Sequence, residues 1–162
     1  MNHFCRKKSI SATDAHIHVV NKPPEIIKSG SDMQLELALF DEAGNKMANE
    51  PSFKIFCQLR VDASDTSTQI ITPQETLVTN GSAVIPYKIL QSPGLQVRIV
   101  LECSEDNNQD SFFDFNSTTA SCQLGEIFKP QTRACEKCPE GTFSLEISDD
   151  VCTPCPIGGE CN

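Results

Sequence analysis

Three stretches of the chain alternate apolar and polar residues with a period of two. "MQLELALF" places Met33, Leu35, Leu37 and Leu39 on one face and Gln34 and Glu36 on the other. "FKIFCQLRV" sets Phe53, Ile55, Cys57, Leu59 and Val61 against Lys54, Gln58 and Arg60. "LQVRIVLEC" sets Leu95, Val97, Ile99, Leu101 and Cys103 against Gln96, Arg98 and Glu102. Such alternation predicts strands with one buried face. The runs are divided by "KSGSD", "DEAGN", "TNGSA" and "QSPGL", where Gly accompanies Asn, Asp, Ser or Pro as turns require. Weaker strands fit "HIHVV", "TQIIT", "SAVIPYKIL" and "SFFDF". About seven short strands over residues 13–120, after a tail at 1–12, predict an antiparallel immunoglobulin-like β-sandwich.

Strand parity also places Cys57 and Cys103 on inward faces. Inward side chains of opposing sheets can meet, so a Cys57–Cys103 bridge across the core is expected; two inert buried thiols are the alternative. The segments "SGSDMQLELALFDEAGNKM" and "VTNGSAVIPYKI" resemble the immunoglobulin-like repeats of filamins and bacterial adhesins. The chain has no Trp, which argues against an antibody-type domain with its buried indole.

Cysteine changes the picture at the other end. Of nine Cys, six fall after residue 121, and the odd total leaves Cys5 as the evident orphan. The tail aligns on its own cysteines. Cys122 to Cys135, Cys138 to Cys152 and Cys155 to Cys161 each open with Cys, carry Gly three residues on and close with Cys. Two residues separate successive units, which makes an internal repeat. A unit bounded by cysteines suggests closure on itself, giving the pairs Cys122–Cys135, Cys138–Cys152 and Cys155–Cys161. Residues 121–162 are too few to bury a core, so a disulfide-rich module is expected there.

Zinc is the competing reading, because Cys135, Cys138, Cys152 and Cys155 have the spacing of a four-thiolate site. It would leave Cys122 and Cys161 without a role. Three basic against seven acidic residues in this segment also make a poor nucleic-acid finger. The whole chain carries a net charge of −9, which disfavours nucleic acid and suits ordinary solubility. The sequons Asn80-Gly81-Ser82 and Asn116-Ser117-Thr118 fall in expected turns or loops and mark two candidate glycosylation sites.

The pattern from Cys135 through "CPEGTFSLEISDDVCTPCPIGGEC" resembles ephrin-receptor-type and growth-factor-like cysteine-rich repeats, a likeness that covers residues 122–162; Cys138-Pro-Glu-Gly141-Thr-Phe143 is its most specific part. The resemblance implies tandem units in the ectodomain of a large cell-surface membrane protein. The chain has neither a leader-like apolar run nor a stretch long enough to cross a bilayer. It is therefore expected to be a piece of something longer, touching a membrane only through segments outside it.

Two further motifs suggest metal. Asp14-Ala-His16-Ile-His18 matches the first-strand His-x-His of amidohydrolases, but no His follows position 18 to complete a site. Asp106, Asp110 and Asp114 could face calcium, yet lack the glycine and terminal Glu of a calcium loop. An exposed strand and a solvated acidic connection are the plainer readings. No catalytic residues, metal or cofactor are assigned. The expectation is a non-enzymatic extracellular structural or adhesion module whose partners are domains of the same or a neighbouring surface protein. A ligand-binding receptor ectodomain and an intracellular zinc-binding interaction module are the alternatives.

Overall fold

The computed structural model describes residues 16–48, 54–63, 66–105, 110–146, 151–159 and 161. Cys5, Asp14, Phe53 and Asp106 lie outside the described residues. Among the described residues ten strands precede residue 120, against about seven expected: β1 (His16–Asn21), β2 (Ile26–Ile27), β3 (Met33–Phe40), β4 (Lys46–Met47), β5 (Ile55–Asp62), β6 (Gln69–Ile71), β7 (Thr76–Leu77), β8 (Ser82–Leu90), β9 (Gln96–Glu105) and β10 (Asp110–Thr119). The additional ones are two-residue pieces, below the length at which alternation can be seen.

They form two packed sheets. One has the order β1-β3-β8-β6, with β4 also on β3; the other has the order β2-β10-β9-β5-β7. The long pairings are antiparallel, and among the described residues only β2 runs parallel to its neighbour. This arrangement is that of an immunoglobulin-like sandwich, with the first, second, fifth and fourth principal strands in one layer.

The alternation read from sequence decides which side chains meet between the layers. Leu35, Leu37 and Leu39 from β3 and Ile85, Tyr87 and Ile89 from β8 face Ile55, Cys57 and Leu59 from β5 and Val97, Ile99 and Leu101 from β9, all buried. Leu95 departs from the expectation. It precedes β9 and is exposed, because the Pro93-Gly94 turn ends there. Val100 departs the other way. It points outward but is only 2% exposed, covered on a face where Arg98 reaches both Asp62 at 3.5 Å and Asp114 at 2.7 Å.

The Cys57–Cys103 disulfide is present, but it does not cross the core. Cys57 and Cys103 are direct partners on the neighbouring strands β5 and β9, with Cα atoms 4.1 Å apart. Parity correctly puts both sulfurs inward, yet it cannot distinguish neighbouring strands from opposing sheets. The bridge pins the register of the pair. A one-residue slip would turn the buried set of one strand outward relative to its partner.

Replacing both residues, Cys57→Ala with Cys103→Ala, releases a loop 46 residues long. Urea unfolding should show a loss of about 4 kcal/mol on the chain-entropy estimate. Unchanged stability would mean that the strand pairing needs no covalent pin.

Candidate functional site

Beyond the sandwich, two hairpins carry the cysteines: β11 (Glu126–Lys129) with β12 (Ala134–Lys137), and β13 (Thr142–Phe143) with β14 (Thr153–Pro154). The disulfides join Cys122 to Cys135, Cys138 to Cys152 and Cys155 to Cys161. The internal repeat seen in sequence recurs in the backbone. Each unit opens with a turn in which the residue after Gly donates its N–H to the residue after Cys: Glu126 to Gln123 at 2.9 Å, Thr142 to Pro139 at 3.0 Å and Gly159 to Pro156 at 2.9 Å. Gly125, Gly141 and Gly158 sit at φ of 81°, 80° and 86°, the third position of a type II turn, where a side chain would be strained.

The units also join in the same way. Cys138 donates its N–H to the Gly125 carbonyl at 2.8 Å, and Cys155 does so to Gly141 at 2.9 Å. The first cysteine of one unit therefore docks on the turn glycine of the unit before. Gly125 additionally donates its N–H to the buried hydroxyl of Ser144 at 2.7 Å. Each Cys-x-x-Cys is a junction between loops, not half of a metal site. Sulfurs held in disulfides offer no thiolate to zinc, so the zinc reading does not fit this arrangement.

Apolar burial thins along the module. The first unit buries Ile127 and Cys122, whereas Leu124, Leu145, Val151 and Ile157 stay exposed. Covalent closure substitutes for the missing core.

The most developed site is the joint between sandwich and first unit. Gln91 is fully buried just after β8. Its backbone N–H donates to the Ser29 hydroxyl at 2.9 Å, its Nε2 to the Gln96 carbonyl at 3.1 Å, and its Oε1 accepts from the Thr119 hydroxyl at 3.0 Å. Ser29 in turn donates to the carbonyl of Arg133, in the turn between β11 and β12. Beside it, Lys28 and Glu126 pair at 3.0 Å, and a Cβ added at Gly30 would lie 3.2 Å from that of Ala134. One short segment, Lys28-Ser29-Gly30, thus contacts both ends of the first hairpin. Sequence reading takes "KSGSD" and "QSPGL" as turns and misses this role. The available signal was Gln91, an amide bounded by apolar residues on one side and a turn on the other.

The other candidates are placed apart. His16 and His18 project from the exposed face of β1, where His18 meets Phe40 with ring centroids 5.1 Å apart. Asp114 is paired to Arg98, not turned toward Asp110, and no cluster of three metal-binding side chains occurs among the described residues. Asn80 lies in an exposed turn at φ 53°. Asn116 is not in a loop. It stands exposed on β10 opposite Arg98, because the strand runs four residues beyond "SFFDF".

Comparison with known proteins gives partial likenesses. No family model matches the chain. Mouse (Mus musculus) thyroglobulin is 46% identical over 55 residues, which is 32% of this chain and 2% of thyroglobulin. Among solved structures, a lipoprotein from Bacteroides thetaiotaomicron aligns with 67% of this chain and 82% of its own at 13% identity, with a TM-score of 0.44. A C. elegans protein of the MSP family aligns with 64% and 97% at 12% identity, with a TM-score of 0.41. The chain is a cysteine-rich, disulfide-bonded β protein, and bonds of this kind persist in oxidising compartments.

The Lys28 hydrogen bond is the main cause that holds the Glu126 carboxyl below its usual range. A depressed folded value means that the pair stabilises the joint fully above the ordinary carboxylate range, near pH ~4.3, and loses that contribution as pH falls through the folded value. Carboxyl NMR should show Glu126 titrating low in the native protein and normally in Lys28→Met. A native titration at the ordinary value would remove the ion pair from the joint.

Proposed function

We propose that this chain is a non-enzymatic structural or adhesive module of the extracellular space, part of a larger cell-surface protein. The sandwich serves as a spacer or docking body, and the disulfide units set the direction of what they connect. Its partners are neighbouring domains of the same or an adjacent surface protein. The finer likenesses, to filamin- and adhesin-type repeats on one side and ephrin-receptor-type or growth-factor-like units on the other, belong to this reading. So does the status of glycoprotein, with Asn80 and Asn116 as acceptors.

One observation carries the proposal: a buried Ser29 hydroxyl bridges the sandwich core at Gln91 to the first cysteine unit at Arg133. A flexible linker needs no such bridge. Two modules fixed through buried polar groups hold one relative direction, which is what a geometry-setting element requires. Four disulfides add resistance to opening.

A ligand-binding ectodomain is the second reading, favoured by an open groove of about 710 Å³ beside β8. Ile71, Pro86 and Lys88 line it, together with Tyr87, whose buried hydroxyl finds no hydrogen-bond partner among the described residues.

Spin labels on non-natural residues at exposed Val84 and Ile157 separate the two readings. Pulsed electron resonance should give one narrow distance population, broadened by Ser29→Ala and untouched by Ile71→Asp. A broad native distribution would overturn the spacer reading. Cell-surface binding abolished by Ile71→Asp would favour the receptor.

A further inference from the structure

The strand edges of the sandwich are not equally protected. Exposed edges pair readily with other chains, and proteins blunt them by shortness, bulges or charge. In the first sheet, the outer strand β6 has three residues, and β1 carries a register shift between Val19 and Asn21. In the second, the outermost strands β7 and β2 have two residues each. Strand β2 covers β10 only at Thr118 and Thr119, so residues 110–116 present a free edge among the described residues.

That edge is long and regular. It extends seven residues, roughly 24 Å at 3.4 Å per residue, and its nine pairs with β9 run without a bulge. It is also aromatic. Phe112 is 58% exposed on the outer face, and Phe113 and Phe115 are half-buried on the inner one. Charge defends it weakly. Asp110 stands at the far end, and Asp114 is neutralised by Arg98 at 2.7 Å.

Asn116 closes this stretch, exposed on the same face as Phe112. Resting on the extracellular reading above, we infer that Asn116 carries an N-linked glycan whose role is to shield the free edge of β10 from pairing with a second copy of the chain. The transfer replaces one hydrogen of the Asn116 amide nitrogen by the anomeric carbon of an oligosaccharide. The N–C bond forms as the C–O bond to a lipid-pyrophosphate donor breaks; the pyrophosphate leaves with the bonding pair, and the amide proton is lost to a base. Four residues along a strand separate Asn116 from Phe112, about 14 Å, within reach of a branched oligosaccharide.

The folded strand also sets the timing. Ser117 is buried with its hydroxyl donating to the Pro24 carbonyl at 2.8 Å, and Thr118 donates its N–H to Glu25 at 2.8 Å. The acceptor segment is therefore free only before β10 closes onto β2. Asn80 lies in its exposed turn away from β10 and has no part in shielding that edge.

The test uses the full chain secreted from eukaryotic cells, read by glycopeptide mass spectrometry and sedimentation velocity. The expected wild type is occupied at Asn116 and monomeric. Asn116→Gln and Thr118→Ala, two independent ways to remove the acceptor, should both give concentration-dependent dimers. Adding Phe112→Lys to Asn116→Gln should restore the monomer, and Asn80→Gln should leave it unchanged. Disulfide-bonded protein with Asn116 unmodified, or acceptor-less variants that stay monomeric at every concentration, would overturn the inference alone. Secreted protein with free thiols at the eight paired cysteines would instead bring down the extracellular reading on which it rests.

Discussion

The buried amide of Gln91 constrains both the end of the sandwich and the direction of the module that follows. A primary amide at zero exposure must have its donors and acceptor satisfied, or the fold loses more than a hydrogen bond is worth in water. Thr119 satisfies its oxygen from β10 and the Gln96 carbonyl accepts from its nitrogen at the start of β9, while the backbone N–H of the same residue donates to Ser29 in the segment after β2. These three partners lie far apart in sequence, so Gln91, through its backbone and its side chain together, brings the ends of both sheets into one place. The Ser29 hydroxyl still has its own O–H to donate, and the backbone carbonyl of Arg133 in the first cysteine unit accepts that hydrogen bond. The sandwich therefore does not simply stop. Its closing polar contacts continue into the next module.

From that joint onward the construction changes from apolar burial to covalent closure. Between the sheets, leucines and isoleucines at or near zero exposure supply the stability. In the cysteine units the corresponding residues are largely exposed, and loops of 13, 14 and 6 residues are closed by disulfides instead. The units are linked by a repeated contact from cysteine N–H to the preceding turn carbonyl. Because each contact depends on a glycine with positive φ, geometry is passed along through backbone and not through side-chain packing. Such a design tolerates wide variation in surface residues, provided Cys and Gly keep their places.

Sequence made some of this legible, and physical reasons mark where it stopped. Period-two alternation at Leu35–Leu39, Ile55–Leu59 and Val97–Leu101 located the core strands, because half-buried sheets impose that pattern. The Cys-Gly-Cys repeat anticipated three of the loops, since pairing within a unit is local. Cys57 and Cys103 showed the limit. Their inward parity was readable, but which strands are neighbours depends on topology that a single strand does not carry. Asn116 was misplaced for a similar reason: "NSTT" has turn-like composition, yet β9 and β2 hold it extended. Ser29, Thr119 and Arg133 were invisible because their importance lies in non-local contacts, Ser29 with Arg133 across 104 residues of chain and Thr119 with Gln91 across 28.

The cysteine-rich module depends on covalent closure inside units, with each Cys-x-x-Cys spanning the junction between two of them. Peptide mapping of the unreduced protein tests it most directly. Four linked peptide pairs are expected, Cys57 with Cys103, Cys122 with Cys135, Cys138 with Cys152 and Cys155 with Cys161, with no zinc bound per chain. Free thiols at Cys135, Cys138, Cys152 and Cys155 with one zinc ion retained would contradict it.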